Sequence, residues 1–553
     1  MRPQALVNLT LALVLLVGTH SLQGQQPGSL NGTVSSQAEG PMEGVLVSAK
    51  ALGSTITTTV VSDAQGRYAF PEGRLQPGRY RISIRAAGYD LVEPGVVLVA
   101  ENAPTKLDLR LQETQNLAAQ LMNAEWQFSL PGDPLDKARF AGCVGCHSLT
   151  TPVQTRYDPQ QFAQVVRRMS GYSTGSGLLR PTQSYARRMN PIDGTEPVDE
   201  ESTAFASAKY LASINLSQHP TGERPYALKP FPRPSGRATN VIITEYDLPR
   251  PEMQPHDVMT DSEGYAWFGD FGDNVLSRLD PTTGEIKQWR WPLLRPEQPA
   301  GNLDLRIDNE GGIWMGLLRQ GGIARFDMKT ETFETYEIPA EMAPGTNVGQ
   351  VVFSWDGSMV WIKSSPDRKV LGFDVKQRKF TKAYEVPDVM YYGMTVDQND
   401  ILYLYGIESH TIGELNLKTG EFVEYPTPTS PSAPRRGDMD AQQRPWFAFN
   451  TTPGGVGMYD PKTNQTTEYW FDTPYEELYD ATVDKDTGEV YAGGMLSDYV
   501  YRLDPRTGDY IRYLLPTLNV NIRRMHNDTS KNPVQVWIGY NHQAKVARLE
   551  PLD

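Results

Sequence analysis

Cysteine is nearly absent, with only Cys143 and Cys146 among 553 residues. So low a count excludes a disulfide-stapled scaffold and a four-thiol zinc site. Histidine is scarce as well, seven in all. Basic residues are outnumbered 52 to 66 by acidic ones, giving a formal charge of −14. That balance argues against nucleic acid or an anionic membrane surface as partner. Beyond the first two dozen residues, no apolar run is long enough to span a bilayer. Material for packed cores is plentiful, with 39 % hydrophobic and 10 % aromatic residues. A chain of this length and composition is expected to fold into several domains, mainly β with one small helical unit.

The N-terminus carries Arg2, an apolar run from Ala5 to Val17, and small or polar residues through Gly24. This is the layout of a secretory signal peptide over 1–24, so a periplasmic or secreted bacterial protein is expected. The two cysteines stand in Cys143-Val144-Gly145-Cys146-His147, the spacing of c-type haem attachment. Two thiols one turn apart add across the two vinyl groups of a haem, and the adjoining His147 presents imidazole to the iron. Half a zinc site or a short disulfide are the alternatives, and zinc would want four protein ligands. Haem is attached to thiols outside the bacterial cytoplasm, so export and motif support each other.

Between 28 and 113, short alternating runs such as Val45-Leu46-Val47, Ile56 to Val61 and Tyr80 to Ile84 are cut by Gly and Pro turns. Strands so spaced predict an all-β sandwich. The segments P-M-E-G-V-L-V, S-D-A-Q-G-R-Y-A-F and L-Q-P-G-R-Y resemble the carboxypeptidase regulatory-like domain family. That resemblance implies an accessory, transthyretin-like module without a catalytic centre.

Composition turns helical over 114–218. Helices are predicted at Asn116 to Phe128, Pro134 to Phe140, Asp158 to Met169, and about Asp199 to Ile214. A haem motif near the start and a closing helix ending Y-L-A-S-I resemble cytochrome c. A thioether sixth ligand would suit electron transfer. Met169, in R-R-M-S-G-Y, resembles the R-M-x-x-Y segment of cytochromes fused to propellers, and Met189 is the other candidate. Arg167 and Arg168 are candidates to pair with haem propionates, with solvent the plainer destination.

A proline-rich connector, 219–239, leads to an internal repeat over 240–553. Aromatics recur at Trp267, Trp314, Trp361, Tyr403, Trp446, Tyr491 and Trp537, with gaps of 47, 47, 42, 43, 45 and 46 residues. Seven such units predict a seven-bladed β-propeller. The seventh lacks an outer strand, and Asn240 to Pro249 should supply it, leaving no open edge. The segments I-T-E-Y-D-L-P, Q-P-H-D-V and D-S-E-G-Y-A-W-F-G-D-F resemble the virginiamycin B lyase (streptogramin lyase) propeller family. The resemblance implies elimination on a cyclic depsipeptide by a histidine base with carboxylate-held magnesium. Here Gln254-Pro255 precedes His256 where a metal-binding glutamate is expected, and the loop acid is Asp270 or Asp273. The repeats of quinoprotein propellers are missing, which argues against PQQ.

Eleven residues before each blade aromatic, the inner strand should open onto the channel mouth: His256, Leu303, Gln350, Tyr392, Arg435, Asp480 and His526. His256 and His526 are expected side by side, joined by His410 and His542 from loops, with Arg436 and Tyr391 completing a polar funnel. The candidate catalytic set is His256, His526, Arg435 and Tyr392, and a rim that is polar only because it is wet is the plain alternative. The candidate haem set is Cys143, Cys146, His147 and Met169, with the last two on iron. Three functions follow: haem-mediated electron transfer with a redox protein or small molecule at the mouth, lyase chemistry, or recognition alone.

Overall fold

The computed structural model describes residues 28–101, 103–217, 224–345, 347–365, 367–387 and 390–553. The expected signal peptide lies outside them, as does His219. No described helix is long and apolar enough to cross a membrane.

Residues 28–113 form two packed sheets. Gly28–Ser36 runs antiparallel to Arg67–Leu75 and parallel to Leu109–Glu113, while Ile56–Val61, Leu46–Ala51, Gly78–Arg85 and Val96–Val99 make the second sheet. Alternation places Leu30, Val34, Val47, Tyr68, Phe70 and Ile82 in the core between them.

The propeller is a closed ring. Six four-stranded antiparallel blades occur in chain order, successive inner strands touch, and the first (Pro255–Thr260) touches the seventh (Ile522–Asp528). An aspartate six residues before the blade aromatic fixes the hairpin in four blades: Asp261, Asp308, Asp397 and Asp440 each accept from the ring N–H or O–H of Trp267, Trp314, Tyr403 and Trp446. Val241–Asp247 completes the seventh blade, antiparallel to Lys545–Pro551, as expected. Its other edge is not left at the rim. It pairs with Ile56–Val61 of the sandwich, making one eight-stranded sheet from two domains. The reason is visible in burial: Val241–Asp247 is buried along almost its whole length, whereas the outer strand Thr332–Glu337 is half in water.

The helical residues carry short helices at Asn123–Ser129, Pro134–Ala141, Thr150–Gln154, Pro159–Met169, Tyr185–Met189 and Thr203–Ser213. The predicted helix at 116–128 is split, because the Glu125 carboxylate accepts from Met122 N–H and starts a new helix there. Asp158 caps Pro159–Met169 through Gln161 N–H, with a reciprocal bond from Gln161. The last helix begins later than expected, at the Ser202 cap. These helices lie over the propeller. One apolar core runs from Trp126, Phe140 and Phe162 into Trp446, Phe471 and Tyr501 of the fifth and sixth blades. The connector is docked too: Phe231 N–H donates to Glu125, and Arg233 pairs with Glu39 of the sandwich at 2.6 Å.

Candidate functional site

All seven inner strands carry a register shift near the mouth. A bulge frees a backbone N–H, and side-chain oxygens on neighbouring blades take several of them. Asp257 accepts from Asp304 N–H at 2.9 Å, Asp304 from Val351 at 3.2 Å, Gln350 from Met394 at 2.7 Å, and Asp480 from Met525 at 3.1 Å. Several polar channel residues are therefore lacing between blades.

The alignment by a fixed eleven-residue offset fails in three blades: the third and sixth, where the aromatic pairs nine residues back (Trp361 with Val352, Tyr491 with Thr482), and the seventh. Trp267 pairs with Met259, eight residues earlier, and Trp446 with Asp438, also eight. Trp537 pairs with His526, eleven earlier, because its hairpin loop is longer. His526 therefore sits three residues deeper than His256 and donates to or accepts from Thr260 at 3.0 Å. It lines a cavity at the far end of the channel with Asp438, Asp480 and Lys485. Arg523 occupies the place expected for His526. By the same offset correction, Tyr479 replaces Asp480 at the mouth. Reading the hairpin lengths before counting back would have found both.

Four of the mouth residues form one hydrogen-bonded line. Tyr392 and Tyr479 hydroxyls are hydrogen-bonded at 2.6 Å, Tyr479 Oη lies 2.8 Å from His256 Nε2, and His256 Nδ1 lies 2.7 Å from Asp257 Oδ2. His256 stacks on Phe271 with centroids 4.6 Å apart. Burial pulls its imidazole down to about 4, outweighing Asp257, so it is neutral at pH 7. A neutral ring here donates from Nδ1 and accepts at Nε2. Burial pushes the Tyr479 phenol up. Tyr392 goes the other way: burial opposes ionisation, but Arg435 and Arg436 bring it below the ordinary phenol value. Arg435 lies 4.7 Å from the Tyr392 ring and 4.1 Å from that of Tyr479. Arg436 is fully buried and faces Asp257 at 3.5 Å and Asp304 at 3.8 Å. The line can relay a proton between a tyrosine held among cations and a buried carboxylate.

The other rim candidates separate. His410 Nδ1 accepts from Ala433 N–H, a loop latch. Tyr391 is 2 % exposed, packs against Phe422, and donates to Glu424. His542 stays near the mouth, half-buried, with both ring nitrogens shielded from solvent and without a well-formed hydrogen bond.

The Cys-x-x-Cys-His segment lies against this mouth. Cys143 falls in the single turn Gly142–Gly145, and Cys146 follows it. Val144 C=O accepts from Asn521 of the seventh blade at 3.4 Å. Cys146 and His147 share a cavity of about 260 Å³ with Leu178, Leu179, Gln254 and His542. The helical unit is fastened over the mouth by Arg180, which pairs with Asp270 at 2.8 Å, and by Lys137, which donates to Tyr475 at 3.0 Å.

These residues fit a covalent haem. Both thiols are free. Burial pushes Cys143 up to about 11, unlike the lowered value of a thiol poised for disulfide exchange. His147 Nδ1 lies 2.9 Å from Ser148 C=O, which fixes the tautomer and leaves Nε2 for iron. Leu178 and Leu179 expose 63 % and 64 % of their surface beside that cavity, apolar walls for an apolar macrocycle. Among the described residues, no group of three or more His, Cys, Asp or Glu is arranged to hold a metal ion. Met169 ends its helix half-buried, while Met189 is 62 % exposed. Arg167 is tied to the Asp193 and Glu196 carbonyls.

Residues 29–112 match the family described as carboxypeptidase regulatory-like domain. No curated protein matches the chain. Among solved structures, a streptogramin B lyase is 20 % identical, covering 57 % of this chain and 99 % of its own, with a TM-score of 0.50. Virginiamycin B lyase from Staphylococcus aureus is 16 % identical, covering 56 % and 99 %, with a TM-score of 0.49. At such identity the first likeness is one of fold, and it describes the propeller.

Proposed function

We propose that the chain is an exported c-type cytochrome whose propeller mouth receives the electron donor or acceptor, a small molecule or a group on a partner protein. The observation that carries this reading is the position of Cys146 and His147 in one cavity with Gln254 and His542 of the propeller. Cys143 and Cys146 would hold haem c through thioethers, with His147 and Met169 on iron. Bound there, haem c supplies a one-electron couple.

The chain's own groups do the rest. Leu178 and Leu179 offer apolar contact at the cavity. Tyr392, Tyr479 and His256 move a proton toward Asp257, so that charge need not build up in a buried site when an electron moves. Arg435 and Arg436 stabilise negative charge on Tyr392. The sandwich extends the outer edge of the seventh blade, whose inner strand carries Arg523. The lyase reading draws less support, because His256 Nε2 is engaged by Tyr479 and Gln254-Pro255 stands where that family's metal-binding glutamate is expected.

The test is a reduced-minus-oxidised difference spectrum of the full chain expressed with a haem-ligation system. A haem c signature abolished in Cys146→Ser supports the reading. A colourless protein, or depsipeptide cleavage lost in His256→Ala without any haem, would replace it with the lyase.

A further inference from the structure

Two guanidinium groups at the mouth, one buried and one half-buried, lack an ion-paired carboxylate. Arg523 is 5 % exposed, lies 5.1 Å from the Tyr479 ring, and has no acceptor for Nε. Arg435 reaches only neutral acceptors, Asn450 Oδ1 at 2.7 Å and Met495 Sδ at 3.1 Å, and its Nε is likewise buried and unpartnered. The carboxyl acting on Arg435, Glu477, forms no ion pair with it, and burial raises its pKa toward the neutral form. Arg436 differs, since Asp257 and Asp304 face it. An unpaired buried cation is strongly unfavourable, and mutual repulsion between Arg435 and Arg523 adds to that.

We propose that Arg435 and Arg523 hold a small anion with at least two oxygen acceptors, a carboxylate or an inorganic oxyanion, against the Tyr392–Tyr479 pair. This deepens the redox reading by naming the chemical class that the mouth accepts. The geometry suits it: planar forks pair bidentately with such groups, and two tyrosine hydroxyls beside them can exchange a proton with the ligand. Haem carboxylates do not supply the missing charge. Vinyl and propionate substituents lie on opposite edges of the macrocycle, and Arg523 stands two residues from Asn521, whose side chain meets the Val144 carbonyl between the two thiols, the vinyl side.

The experiment is calorimetric titration of the haem-loaded full chain with sodium sulfate, sodium nitrate and sodium oxalate at constant ionic strength. At least one should bind saturably at one site, weakened about tenfold or more in Arg523→Gln and Arg435→Gln. A second readout separates binding from structure. Arg523→Met should keep or raise the melting temperature in anion-free buffer and lose the rise that the bound anion gives wild type. No saturable binding of any of the three, binding unchanged in both glutamine variants, or a melting temperature that collapses in Arg523→Met without anion would each overturn the proposal. The haem spectrum of the same samples reports the redox reading separately: haem without anion binding removes only the anion site, and anion binding without haem removes only the cytochrome.

Discussion

The two ends of the propeller channel are both polar, yet they are wired differently. At the far end, His526, Asp438, Asp480 and Lys485 line a cavity of mixed sign: Lys485 lies 3.8 Å from Asp438, and Asp480 accepts from Met525 N–H through one oxygen. At the mouth, a tyrosine–tyrosine–histidine–aspartate line lies among arginines, two of them without a carboxylate partner, beneath the Cys-x-x-Cys-His segment. Between the ends, Asp304 ties Arg306 at 2.9 Å, Arg524 and Arg436 into one buried knot. Polarity alone therefore says little about where chemistry occurs in a propeller. The informative feature is whether each buried charge has its counter-charge within the chain.

The comparison can be broken at several points. The largest effect is expected in the knot that separates the ends. Asp304→Ala leaves three arginines short of a carboxylate and should lower unfolding free energy by about 3–5 kcal/mol, read from urea denaturation. At the mouth, Tyr479→Phe cuts the proton line while keeping the ring on Arg523. It should slow haem reduction by ascorbate about 10- to 100-fold and reduce the solvent deuterium isotope effect, with stability nearly unchanged. Beside the mouth, Glu476 is fully buried, and burial raises its carboxyl to about 7 despite bonds from Ser497 and Tyr501. Between pH 4.5 and about 7 the folded chain keeps a proton that the unfolded chain releases, so stability falls as pH rises through that window. Glu476→Gln should flatten this slope, measured as melting temperature at pH 5 and pH 8. The smallest effect is expected at the far end, where His526→Gln should change the reduction rate by no more than about twofold. Equal losses in Tyr479→Phe and His526→Gln would erase the distinction between the ends.

Blade count, ring closure by Val241–Asp247, and the cap at Asp158 were legible in the sequence, because each depends on local spacing and short-range hydrogen bonds. The thiol–imidazole segment was legible for the same reason. The mouth was only partly so. His256, Tyr392 and Arg435 fell where the repeat put them. Tyr479 and Arg523 did not, since hairpin length varies between blades and a fixed offset from the aromatic then lands on the wrong turn of the pleat. Pairing of the sandwich with the seventh blade was hidden too. Its one signal is that Val241–Asp247 is more apolar than an outer blade strand in water should be. That the helical unit covers the mouth follows from tertiary contacts such as Arg180 with Asp270, and no spacing announces them.

The central claim is that Cys143 and Cys146 carry a haem at the propeller mouth. Intact-mass spectrometry under denaturing conditions, on the chain co-expressed with a haem-ligation system, addresses it most directly. Wild type should show a mass increased by one haem that survives denaturation, and the double variant Cys143→Ser, Cys146→Ser should lose it. A wild-type chain at its bare polypeptide mass, with no haem absorbance, would contradict it.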